Sequence, residues 1–532
     1  MMNYRQILII GYLLMMTILP AMSQSIESPI TRAMMRVYDE VIDENPRDYE
    51  TLLRRGNEYY NHDMYKQALD DVNNALRYIP TSDKDTRLRA LMLRANVYAM
   101  SNRYSDAVAD LDEALTLSPD NLVAVYLRAN ALYNLGEYQR SQADYATLLR
   151  RNPRNQKAMF GLAKIAVKQN NLGVAGDYAD RAVELSPAVS DVYMRRAEVR
   201  RLAANYQGAA DDYIMAISTD SENTPRALQE LFSLSNGNYS TVMSCLTEAI
   251  RRAPRQGMFY YIRAMIAQGH FKYSAAIDDY DKLINEKMYA YEGLNASLAE
   301  CYYALGKYET ALFNVDYAIS ANPDRAEYYV LKSNILRATG DARGAVEQAE
   351  NALSKSPDNK AALEAKALAL VAGEEYQQAS VLLSEAIMTD SADPYLQMLR
   401  GWILTDYRSQ PDIARRCYEE VIEMNFDIDQ VRSYKGFALA FIGKDNEAEQ
   451  WMNTILNTAD NSDGMISYYA ACFYAQKGMK DVALRHVEAA LDKGYANYHN
   501  WMVANEARIN VAPLRDDPRF KALLDKYVII FK

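Results

Sequence analysis

Arg94–Pro119 reads RANVYAMSNRYSDAVADLDEALTLSP, and Arg128–Pro153 reads RANALYNLGEYQRSQADYATLLRRNP, the same helical phrase set down again 34 residues later. No other feature constrains the fold as much. One such phrase buries too little apolar surface to stand alone, but stacked copies build a continuous core that lengthens without thickening. The 532 residues therefore need not divide into three or four globules, as length alone would suggest.

With Ala95 and Ala129 placed at position 8, one frame runs along the chain. Position 8 is small (Gly56, Ala163, Ala197, Ala264, Ala299), position 17 is usually Tyr (Tyr65, Tyr104, Tyr138, Tyr206, Tyr273), position 20 is Ala (Ala68, Ala107, Ala175, Ala209, Ala276) and position 32 is Pro (Pro80, Pro119, Pro153, Pro187, Pro254). Positions 4, 8 and 11 share a face of one helix, and positions 17, 20, 24 and 27 share a face of the next. Small residues at 8 and 20 let the two backbones approach. Gly136, Gly306, Gly340, Gly443 and Gly478 stand at position 15, where the first helix must stop and a left-handed residue costs least. Proline at 32 ends the second helix.

This frame resembles the tetratricopeptide repeat (TPR) family. The resemblance covers Tyr49 to about Tyr495, as thirteen repeats beginning near residues 49, 88, 122, 156, 190, 223, 257, 292, 326, 360, 394, 429 and 464. It implies an all-α fold, a right-handed superhelical solenoid of helix–turn–helix units. Residues 24–48 are expected to form an N-terminal capping helix, and residues 496–532, with LRDDPRFKALLDKY, C-terminal capping helices and a tail of the kind common in bacterial TPR proteins. The repeats near 223–256 and 394–428 are atypical, with Glu230 where a small residue belongs and an extra residue near DYRSQPD. TSDKDTR adds five residues between repeats one and two.

The start of the chain, MMNYRQILIIGYLLMMTILPAMSQS, reads as a signal peptide over residues 1–23. Arg5 supplies the positive charge, Ile7–Leu19 is an apolar run too short for a membrane span, and Ala21-Met22-Ser23 is a small-x-small cleavage site leaving Gln24. The competing reading is an uncleaved anchor. Cleavage makes the protein periplasmic, with no later membrane span. The mature chain carries net charge −12 and no basic stripe, which argues against nucleic-acid binding. Cys245, Cys301, Cys417 and Cys472 fall in helical patterns of non-adjacent repeats and read as core residues rather than bridges.

Position 7 is basic in many repeats, which invites an anion-binding ladder. Position 23 answers it: Asp71, Asp110, Asp144, Asp212 and Asp279 occur in repeats that have Arg55, Arg94, Arg128, Arg196 and Arg263. The economical reading is an ion pair between the two helices of one repeat, fixing their register. Arg400, in the irregular eleventh repeat, has no such aspartate.

No nucleotide loop, G-x-S-x-G, H-E-x-x-H or C-x-x-C is present, and His62, His270, His486 and His499 are scattered. DNSDG at 460–464 has the wrong spacing for an EF-hand and reads as a turn. The chain is accordingly expected to be no enzyme, with no cofactor and no metal site. The TPR resemblance implies a concave groove lined by positions 2, 5, 9 and 12 that grips a protein or peptide partner. Position 9 carries Asn57, Asn96 and Asn130, whose amides donate and accept together and so suit the backbone of a bound chain. Tyr60, Tyr126, Tyr133 and Phe160 lie beside them at positions 5 and 12. The alternative is that these residues serve internal packing. Leu53 stands where chaperone-binding carboxylate-clamp TPRs carry Lys, so that specialised activity is not expected. The expected function is an envelope scaffold or adaptor with its surface in the first repeats. The alternative class is a carbohydrate- or peptidoglycan-binding accessory protein of polysaccharide uptake, which would need coplanar aromatics. Oligomeric state is not written in the sequence.

Overall fold

The computed structural model describes residues 29–527, apart from 220–223, 290, 292, 390–392, 426–428 and 505. The leader expected at 1–23 lies outside the described residues. The fold is an all-α solenoid of TPR type, and no strand occurs among the described residues. Pro29–Glu44 precedes a run of helix pairs that begins with Tyr49–Asn61 and Tyr65–Tyr78, continues with Lys84–Met100 and Tyr104–Leu117, then Leu122–Leu135 and Tyr138–Arg151, and reaches Met465–Gln476 and Lys480–Asp492. Repeat six is a single helix, Thr224–Arg252, kinked at Asn238; elsewhere the two helices of each pair pack on one another, and the second packs on the first helix of the next pair.

The local signals act as their chemistry dictates. Asp48, Asn121, Asn155 and Asn359 cap first helices, each side chain accepting from a backbone N–H two or three residues on. Ala68, Ala75, Ala107, Ala114 and Ala129 are fully buried where the helices meet, so a larger side chain there would push two backbones apart. The TSDKDTR insertion becomes structure: Asp83 caps a 17-residue first helix in repeat two, against 13 residues in repeat one. Gly136, Gly306, Gly340, Gly443 and Gly478 all have positive φ, as expected at position 15. Where glycine is absent, Asp63, Asn102, Asn170, Ala204, Phe271 and Glu374 take up the same left-handed turn, so the turn is dictated by the packed pair and not by glycine alone.

The described residues divide into two compact units, 29–245 and 246–527. In the second unit the end of the chain does not simply cover the last repeat. After Lys480–Asp492 the segment passes the turn of repeat seven, where Lys272 Nζ donates to the carbonyls of Lys493 and Gly494 and Phe271 meets Tyr495 edge-on at 4.8 Å. A short helix, Tyr498–Met502, packs on the first helix of repeat eight (Leu294–Ala304). Two 3-10 turns, Glu506–Arg508 and Ala512–Leu514, then pack on the first helices of repeats eleven (Pro394–Asp406) and thirteen (Met465–Gln476). Pro518–Lys526 closes the described chain against Lys480–Asp492, with Arg519 on Asp481 and Lys526 on Glu488.

Candidate functional site

The basic residue at position 7 is consumed by structure. Arg128 donates from Nε and Nη2 to the two oxygens of Asp144, both at 2.8 Å, and from Nη1 to Asp112 at 2.7 Å. Arg55, Arg94, Arg196 and Arg263 hold Asp71, Asp110, Asp212 and Asp279 in the same within-repeat pairing. Each also reaches back to position 25 of the preceding pair or helix, at Asp39, Asn73, Asp180 and Thr247 respectively. A guanidinium has five donors in a planar fork and can clasp both neighbours. Lys332 and Lys366 keep only the inter-repeat link, to Asp316 at 2.7 Å and Glu350 at 3.0 Å. Arg400 meets the Cys417 thiol at 3.7 Å in place of an aspartate. A row of cations with carboxylates already seated on them leaves little for an anionic ligand.

The expected groove residues divide. Asn57 is exposed and lines a hollow of about 300 Å³ with Tyr38, Glu50, Leu53, Arg54, Glu58, Arg89 and Leu93. Arg89 donates to Glu50 across this hollow at 2.9 Å. Asn96 is half-buried on the next first helix. Asn130 is also half-buried, and its Oδ1 accepts from the Tyr145 hydroxyl at 2.5 Å. The Tyr145 ring in turn lies across Gly161, where an added Cβ would stand 2.3 Å from Cζ. Asn130 thus serves the core with at least one of its groups. Asn130→Ala is expected to cost about 1 kcal/mol, because the buried tyrosine hydroxyl loses its acceptor, whereas Asn57→Ala is expected to stay within about 0.5 kcal/mol. Amide exchange in repeats one and three reads the two changes separately.

Phe160 requires correction. It is 2% exposed, because the first helix of repeat four (Gln156–Lys168) buries Ala158 through Ala163 almost without a break, and it offers no surface to a partner. The tyrosines are intermediate. Tyr60 and Tyr133 pack on the position-17 rings of their own repeats, Tyr65 and Tyr138, at 6.2 and 5.7 Å with interplanar angles of 52° and 55°. Burial pushes the Tyr133 hydroxyl up to about 12. Tyr126 remains half-buried with the Lys157 ammonium 5.6 Å from its ring centroid, a cation–π contact. Beyond Asn130, position 9 is an ion pair between adjacent first helices, Lys164 to Glu198 at 2.5 Å. Asn57 and Lys157 are exposed, and Tyr60, Asn96, Tyr126 and Tyr133 are half-buried. The Tyr60, Tyr126 and Tyr133 rings stand at 52°, 62° and 55° to the Tyr65, Tyr145 and Tyr138 rings they pack on.

The titratable groups elsewhere are tuned by burial. All four cysteines are free and buried. Burial pushes the Cys245 and Cys472 thiols up to about 12, the direction that suppresses thiolate chemistry. Burial likewise holds His270 down at about 4. Burial raises the Glu300 carboxyl to about 8 against the opposing hydrogen bond from Gln268 Nε2 at 2.7 Å, and Gln268 itself accepts from Tyr280. Among the described residues no cluster of three His, Cys, Asp or Glu is placed to hold a metal ion, and no helix is long and apolar enough to cross a membrane.

Three family models, each described as Tetratricopeptide repeat, match residues 88–121, 126–190 and 336–403. The TPR repeat-containing protein of Methanocaldococcus jannaschii is 21% identical over 60% of this chain and 52% of its own length. The Mitochondrial import receptor subunit TOM70 of Homo sapiens is 27% identical over 38% of this chain and 31% of its own. The crystal structure of the yeast Tom70 covers 75% of this chain and 96% of that one at 16% identity, with a TM-score of 0.36. The chain spans about a quarter to about a half of the length of the curated relatives it matches over more than a third of itself.

Proposed function

The chain belongs to the tetratricopeptide repeat family, and we propose that it is a non-catalytic scaffold that captures a polypeptide partner on the first helices of repeats one to three, in the periplasm. The observation that carries this reading is the hollow around Asn57, where an exposed amide, the Arg89–Glu50 pair and the apolar Leu53 and Leu93 converge. An extended chain offers donors, acceptors and apolar side chains in alternation, and this lining matches all three. Tyr126 with Lys157 continues the surface, an aromatic face topped by a cation that suits an acidic or aromatic side chain of the partner.

Site-specific photo-crosslinking in the native host tests it. A crosslinker at residue 57 or 96 is expected to capture a discrete polypeptide, and one at Ala109, exposed on the second helix of repeat two, is not. Asn57→Ala with Asn96→Ala is expected to lower affinity for the captured protein by about 1–3 kcal/mol, at about 0.5–1.5 kcal/mol for each lost hydrogen bond, with melting unchanged. Equal capture from both faces would remove the reading. Export rests on the leader pattern at 1–23, and Edman sequencing of the native protein is expected to begin at Gln24.

A further inference from the structure

The end of the chain touches the second unit at one recurrent place. Tyr303 and Arg337 stand at position 12 of repeats eight and nine, and Asp406 and Gln476 at position 13 of repeats eleven and thirteen. All four meet the segment after Gly494. His499 is held through both ring nitrogens, Nε2 to the Tyr303 hydroxyl at 3.1 Å and Nδ1 to the Tyr308 hydroxyl at 3.0 Å. Glu506 is seated on Arg337, and both are nearly buried. Arg508 donates to both oxygens of Asp406, and Gln476 Nε2 donates to the backbone carbonyl of Asn510 at 3.1 Å. Between these polar anchors Trp501, Ile509 and Val511 are fully buried, and Trp501 meets the faces or edges of Tyr468, Tyr495 and Phe520.

We propose that Gly494–Val511 is a peptide ligand held in cis, and that it permanently occupies the face presented by the first helices of repeats eight, nine, eleven and thirteen. The arrangement has the parts of peptide recognition: anchor side chains in register, a backbone carbonyl gripped by a glutamine, and a buried aromatic at the centre. It is not the packing of a regular cap, because most of the segment is non-helical and Ala507 and Arg508 both have positive φ. Two consecutive left-handed residues without glycine are unfavourable in a free chain and persist where the surroundings over-determine them. Covalent attachment supplies the effective concentration that a short peptide in trans lacks. The face is therefore closed to other polypeptides, and it selects a segment bearing an aromatic or imidazole group seven residues before an acid. This inference stands whether or not repeats one to three capture a partner.

Two measurements test it. In the native chain, the hydrogen-bonded amides of Trp501, Val503, Ala504 and Ile509 are expected to exchange at least roughly 100-fold more slowly than in a free 494–511 peptide, and free-peptide rates there would overturn the proposal. A fluorescein-labelled 494–511 peptide is then titrated against the native chain and against W501D/E506K, which expels the segment. The expelled variant is expected to bind it at least roughly tenfold more tightly than the native chain, and adding R337E is expected to reverse that gain. Equal binding to both, or no binding to a variant that keeps its helical circular dichroism, overturns it. If the variant loses its helicity, the exchange rates of the native chain decide alone.

Discussion

Arg337→Leu is expected to destabilise the second unit by about 3–5 kcal/mol, because it strands a carboxylate that has left water. The Arg337 and Glu506 side chains are 12% and 4% exposed. Burial is the largest single influence and would raise the Glu506 carboxyl; the facing guanidinium, with smaller help that includes His499 and a backbone hydrogen bond, holds the group below the usual carboxylate range. An acid whose folded value is depressed gives stability that is present above its unfolded value, near 4.5, and is lost as pH falls through the folded value. Removing the cation takes away the largest opposing influence at Glu506 and lets desolvation raise the carboxyl. The variant should therefore differ most from the native chain at neutral pH, with the gap narrowing as pH falls and closing only as pH passes through the depressed folded value of Glu506. The double change R337L/E506Q is expected to recover most of the loss, since a neutral pair costs far less to bury. Urea unfolding followed by tryptophan fluorescence reads this unit selectively, because Trp402, Trp451 and Trp501 are all three tryptophans of the chain. A single variant as stable as the native chain would mean that Glu506 can reach water without Arg337.

The parts of this molecule that were legible in the sequence are those where the same two positions face each other in every repeat. The Arg–Asp pairing could be read because positions 7 and 23 vary together. The second link, to position 25, could not, because Asp39, Asn73, Thr247 and Glu350 accept equally well and share no residue type. Asn130 matches the sequence pattern of a ligand ladder, but its Oδ1 accepts from the Tyr145 hydroxyl. The signal was present, since repeats one and two have Val72 and Leu111 where repeat three has Tyr145, and Gly161 makes room for the ring. Phe160 misled for a related reason: position 5 is only as exposed as the packing of its own repeat leaves it. The C-terminal segment was hidden most completely. Trp501, Ile509, Val511 and Leu514 follow neither a 3.6 nor a 2.0 period, so nothing local announces that they are buried. Their partners are distant helices, and only closure of the repeats from seven to thirteen brings them together.

Asp212→Ala is expected to be the costliest loss among the five clasps, about 3 kcal/mol, where Asp144→Ala is expected to cost about 1–2 kcal/mol. The chemistry is the same and the surroundings differ. Asp212 is 1% exposed and serves two cations, accepting from Arg196 at 2.7 Å and pairing with Arg200 at 3.0 Å. Desolvation is the larger influence on its carboxyl and leaves it above the usual value despite both arginines. Such a pair adds little net stability compared with an apolar substitute, yet breaking it strands what remains. Without Asp212, Arg196 and Arg200 share only the half-exposed Asp180. The Asp144 side chain keeps more contact with water, and Arg128 retains Asp112 when it is lost. The prediction separates register from raw stability. Asp212→Leu with Arg196→Leu should lie close to the native chain, while Asp212→Ala should speed amide exchange in Ser190–Leu202 and Tyr206–Thr219 by roughly 100-fold. A double apolar variant as damaged as the single change would mean that the ion pair itself holds the two helices, and that its desolvation cost is smaller than its burial implies.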